Sequence, residues 1–219
     1  MVEWFRSDDW SCDAQQDFET RLGRAQVRNR AQYLRIKALA LIDTGQLDAA
    51  TALLRRVVDD HREDRVQVAA SHEHLGDISR STGDLAGAES AYRRVLELSP
   101  NLSGTTGEVH LKLGEVLLEA KPNDFAEVEQ LIAAARPHAV LTTSAFRANV
   151  LDARVAAAIG DVERRRASAA AALSLVDARP QFSRHPTVGL VDASPSLLAE
   201  LEALASNSES STRRWLRRM

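Results

Sequence analysis

Thirty-eight residues after LRRVVDD at 54–60 the chain reads YRRVLEL at 92–98. That offset lays Leu54 over Tyr92, Arg55 and Arg56 over Arg93 and Arg94, and Val57 over Val95. It also carries Gly45 onto Gly83, the turn GQLDAA onto GDLAGA, and Leu75-Gly76 onto Leu113-Gly114. Gly160 follows Gly83 by 77 residues, two periods to within one residue. A period of this length is one supersecondary unit, which cannot bury its apolar face alone and must stack on its neighbours.

Each unit reads as two helices around a turn glycine. Helix-period runs precede the turns (AQYLRIKALALIDT, ASHEHLGDISRST, EVHLKLGEVLLEA) and follow them (LDAATALLRRVVDD, LAGAESAYRRVLEL). A glycine ends the first helix in a left-handed conformation, and Asp84 and Asp161 stand next in line to cap the second. Pro100 stops the second helix of its unit. No strand-type alternation stands out.

These residues resemble the tetratricopeptide repeat. Residues 69–102 carry the resemblance best, with Leu75-Gly76, the turn Gly83-Asp84-Leu85, then Ala88, Tyr92 and Pro100. Residues 31–64 follow through Leu34, Ala38, Leu41, Gly45, Ala50, Leu54 and Val57, with Lys37 where the family has Leu. Residues 107–138 keep Leu113, Gly114 and Leu117, then a longer turn, KPND, before Phe125, Val128 and Ile132. Residues 146–179 keep Ala153, Ala156, Gly160, Ala169 and Ala172, with Arg165 where a small residue is usual. The resemblance implies an all-α, right-handed α-solenoid of stacked antiparallel helix pairs with terminal capping helices.

The expected organisation has four parts. Residues 1–27 form an N-terminal segment and capping helix, in which Trp4, Phe5, Trp10, Phe18 and Leu22 cover the first pair. Four helix pairs follow at 28–64, 65–102, 103–140 and 141–179. Residues 180–205 hold an irregular stretch with two prolines and a sealing helix opened by Ser194-Pro195. Residues 206–219 read as a disordered basic tail with four arginines, Trp215 and Leu216 against one glutamate.

Composition removes whole classes of function. The 219 residues are 44% apolar with a net charge of −3, so a sizeable core is affordable and a general nucleic-acid binder is not expected. A single cysteine, Cys12, rules out an internal disulfide and a multi-cysteine metal site. There is no leader-like N-terminus and no spanning apolar run, so the expected location is cytoplasmic, without stable membrane association. No HExxH, phosphate-binding glycine loop or nucleophile elbow occurs, and His72 and His110 sit at equivalent packing positions one repeat apart. The expectation is a protein without catalytic residues, metal or cofactor.

Function is then expected on a surface. In the resembled family the first helices line a concave groove, and i, i+4, i+7 spacing selects one side of each. The residues so selected are Arg35, Leu39 and Ile42, then Glu73, Asp77 and Arg80, then Leu111, Glu115 and Leu118, then Arg147, Val150 and Arg154. They suggest an apolar floor with an acidic centre, to which Glu108 and Glu119 add, suited to a protein or peptide segment. The leading reading is an adaptor or regulator. The alternative is a dedicated inhibitor or immunity-type protein that blocks one folded enzyme or toxin, and a third class is homodimeric self-association.

Overall fold

The computed structural model describes residues 3–121, 124–185 and 187–206. Among these the chain is all-α, with no strand and ten α-helices: α1 (Cys12–Arg24), α2 (Val27–Asp43), α3 (Leu47–Asp60), α4 (Arg65–Ser81), α5 (Leu85–Leu98), α6 (Val109–Ala120), α7 (Phe125–Ala135), α8 (Thr142–Ile159), α9 (Val162–Leu173) and α10 (Pro195–Ala205). Short 3-10 turns occupy Trp4–Arg6 and Arg136–His138. The all-α, helix-pair architecture is the one the repeat predicts. Part of the KPND turn, at 122 and 123, and the tail from 207 onward lie outside the described residues.

Two compact units divide the chain, residues 1–106 and residues 107–219. In the first, α2 packs on α3, α3 on α4, and α4 on α5. In the second, α6 packs on α7, α7 on α8, α8 on α9, and α10 closes on α9 and α8.

The turns follow from local chemistry. Gly83 and Gly160 have φ of 82° and 81°, a conformation that costs a side-chain-bearing residue. The carboxylate of Asp84 then accepts from the Gly87 amide at 2.9 Å, and that of Asp161 from the Arg164 amide at 3.0 Å, which starts α5 and α9. Within the α4–α5 pair, a Cβ on Gly76 would stand 2.5 Å from Cε1 of Tyr92. That glycine lets the helices close far enough for the Tyr92 hydroxyl to donate to Asp77 at 2.7 Å.

Both units are capped by terminal chain. Phe18 and Leu22 of α1 are buried with Phe5, and the rings of Trp4, Trp10 and Tyr33 pack around them. In the second unit the small residues Ala153, Ala169 and Ala172 leave room for Leu201 and Leu204 of α10, which are fully buried. Ser194 caps α10 by accepting from the Leu197 amide at 3.2 Å, with Pro195 in the first turn.

Candidate partner-binding surfaces

The first helices of each unit meet along seams of polar side chains. In the first unit Arg35 of α2 donates to Gln67 of α4 at 2.6 Å and lies 3.5 Å from the imidazole of His74. Burial lowers the Arg35 pKa from its ordinary value, against the raising effect of Asp64 and Glu73. Leu39 and Ile42 are half-buried, as are Asp77 and Arg80. Glu73 differs from the expected surface acid. It is 1% exposed, and its carboxylate accepts from the Thr106 amide at 2.9 Å and from the Thr106 hydroxyl, so it fastens the loop after α5.

In the second unit Arg147 of α8 is held between two carboxylates of the α6 segment, Glu115 at 2.5 and 2.7 Å and Glu108 at 2.9 Å. Burial opposes the guanidinium charge there, but the hydrogen bonds and charge of Glu115, with the charge of Glu108, outweigh it and raise the pKa. Two helical turns on, Arg154 makes a two-pronged pair with Glu200 of α10 at 2.7 and 2.9 Å. Between these pairs lies a cleft of about 300 Å³. Its walls combine Glu115, Arg147, Val150 and Arg154 with Phe146, and with Val191, Asp192 and Leu197 from the C-terminal chain. Four of the twelve sequence-selected residues therefore share one cleft.

Part of the expected apolar floor is not an exposed surface. Leu111, Leu118 and Val150 are 1%, 5% and 6% exposed. The physical reason is that α6 is apolar nearly all round, so its leucines serve packing on more than one side while Glu115 stays half-buried. Val191 and Asp192, which complete the cleft with Leu197, were not selected, because 180–193 has no helical period from which a face can be read.

A larger cleft, about 760 Å³, lies elsewhere in the first unit, walled by α3 and α5 over α4. Sequence reasoning did not select it, since every expected site residue was placed on the side of the first helices that it assigned to the groove. Among the described residues no group of three or more His, Cys, Asp or Glu side chains is placed to hold a metal ion. No described helix is long and apolar enough to cross a membrane.

Antiparallel helix pairs, turned by left-handed glycines and joined through polar seams, define a helical-repeat protein. Residues 69–102, which are most of α4 with all of α5, match the family model described as tetratricopeptide repeat. The match covers that one helix pair of the chain. No curated protein matches it.

Proposed function

We propose that the chain is a non-enzymatic scaffold that binds a segment of another protein, acting as an adaptor or regulator. The match of 69–102 to a family of protein-interaction repeats carries this reading. The best-formed candidate on the sequence-selected faces is the cleft beside α6 and α8. Arg147 and Arg154 are fixed there by their carboxylate partners, so their remaining donors point from preset positions. Phe146, Val150 and Leu197 supply apolar wall for one anchoring side chain. Preset charge beside a small apolar recess suits a peptide segment, since little side-chain ordering remains to oppose binding.

The test is affinity capture on the immobilised full chain, with partners identified by mass spectrometry. Wild type is run beside Thr143→Arg/Asp192→Arg, which crowds the cleft rim without touching the ion pairs. A protein captured by wild type and lost by the variant, at equal melting temperature, supports the cleft. Equal capture by both removes it. Retention of binding when the partner is cut to short peptides favours an adaptor. Loss on unfolding the partner favours an inhibitor of one folded enzyme or toxin.

A further inference from the structure

The two units treat the groove between their second helices in opposite ways. In the second unit it is braced by charge. Arg164 of α9 pairs with Asp152 of α8 at 2.6 Å and with Glu129 of α7. Asp152 also accepts from Ser168 at 2.5 Å and lies 3.5 Å from Arg136 at the end of α7. One buried carboxylate thus ties α7, α8 and α9 together.

The register between units follows from the turn glycines, Gly83 and Gly160, and from the first residues of α3 and α7, Leu47 and Phe125. By that register Asp152 corresponds to Leu75, Arg164 to Gly87, Ser168 to Ala91, Glu129 to Thr51 and Arg136 to Val58. All five counterparts are uncharged, and all five line the 760 Å³ cleft of the first unit. Where the second unit spans the groove with its own side chains, the first leaves it open.

We infer that this groove of α3, α4 and α5 docks an amphipathic α-helix of a partner protein, one with acidic residues flanking its apolar face. Its floor on α4 presents the apolar Val68, Leu75 and Ile78 beside His72 and Ser79. Its α5 wall runs from Gly87 to Leu98, about 17 Å or three helical turns, and faces Thr51 to Asp59 of α3 with Arg62 in the turn beyond. Helical walls have no unpaired main-chain groups to offer an extended strand, whereas a helix arrives with its backbone already satisfied.

Charge selects the acidic partner. On the rim, Asp84 is engaged in capping α5, and Glu97 pairs with Arg94 at 2.7 Å. Arg55 is exposed and makes no hydrogen bond or ion pair among the described residues, and Arg62 reaches only the Asp59 carbonyl at 3.2 Å. Among the lining residues four arginines (Arg55, Arg62, Arg93 and Arg94) stand against three carboxylates (Asp59, Asp84 and Glu97), and neither Arg55 nor Arg62 is paired with a carboxylate among the described residues. The same balance disfavours the arginine-rich tail of this chain as occupant.

The experiment pans a phage-displayed library of helix-favouring 14-residue peptides on the full chain and measures the enriched peptides by fluorescence anisotropy. The inference expects Glu- and Asp-flanked apolar faces, affinity at least 3-fold weaker for Arg55→Glu, and weakening as salt rises. It expects at least 10-fold loss for the brace graft Thr51→Glu/Leu75→Asp/Gly87→Arg/Ala91→Ser. If the graft does not fold, Arg55→Glu decides, because its site is exposed. Failure to enrich any peptide, a pool without acidic excess, or equal binding to wild type and Arg55→Glu overturns the inference. None of these outcomes bears on the α6–α8 cleft, which Thr143→Arg/Asp192→Arg tests separately.

Discussion

The Lys37 ammonium donates to the main-chain carbonyl of Ser7 at 2.6 Å, thirty residues away in the chain, and to that of Asp9 at 2.8 Å. Only 1% of Lys37 is exposed, and its charge also lies 5.1 Å from the Trp10 ring centroid. Burial lowers its pKa, against the raising charges of Asp9 and Asp8. Arg165 repeats the device at the other end of the chain, donating from α9 to the carbonyl of Ser206 at 3.0 Å. These are the two positions where a cation replaces the family's Leu or small residue. Both cations hold terminal backbone in place, which gives a physical reason for both departures from the repeat pattern.

Lys37→Leu restores the family residue and nearly conserves volume, yet it is expected to destabilise. The carbonyls of Ser7 and Asp9 lose their charged donor, at a cost of about 1–3 kcal/mol. Urea unfolding measures the loss. A red shift of tryptophan emission in the native state would accompany it, as Trp4 and Trp10 gain water. Unchanged emission and stability would show that the aromatic contacts alone hold the segment.

Arg165→Leu keeps an apolar stem but removes the donor at the end of α10. The expected result is faster amide exchange in the last turn of that helix, with stability lower by about 1 kcal/mol. Exchange near Leu201 should change less, since its packing against Ala169 and Ala172 does not involve the guanidinium. Hydrogen exchange read by mass spectrometry separates the two.

The fold was legible because its determinants are local. Glycine at 83 and 160, aspartate after each, and apolar residues at helical period fix two helices and a turn without knowledge of the rest of the chain. The surfaces were less legible because their determinants are not local. Spacing places Glu115 on one side of α6 but does not reveal that Arg147, in another helix, neutralises it. Nor does it reveal that Glu73 turns inward to Thr106. The brace at Asp152 left a sequence signal only in comparison: charged residues stand in one unit where Leu75, Gly87 and Thr51 stand in the other.

Asp152→Ala is expected to cost about 3 kcal/mol, because it strips one of two charge partners from Arg164 and the acceptor from Ser168 in a buried setting. Burial works against the Asp152 charge, and the hydrogen bonds from Arg164 and Ser168 outweigh it, leaving the pKa below the usual carboxylate value. Replacing the set with apolar groups, Asp152→Leu/Arg164→Leu/Ser168→Ala, should return stability to within about 1 kcal/mol of wild type, since no unpaired charge stays buried. Thermal melts of the single and triple variants decide whether the brace stabilises or only specifies the packing.

Stability should also fall as pH drops from 7.5 to 5.5, through two histidines. Burial lowers the pKa of His72, aided by Arg94 and opposed by Asp59. Burial likewise lowers that of His110, whose ring stacks 6.2 Å from His138, and the His138 charge adds to the effect. Both folded values lie below the unfolded value of about 6.5. As pH falls through 6.5 the unfolded chain takes up protons first, so the equilibrium shifts toward it, and the shift continues until the folded histidines also protonate. Above that window both states are neutral at these sites and their contribution is complete. Melting temperatures of wild type and His72→Gln/His110→Gln, taken across this range, check the assignment. The double variant should show the shallower slope, and parallel slopes would place the pH dependence on other groups.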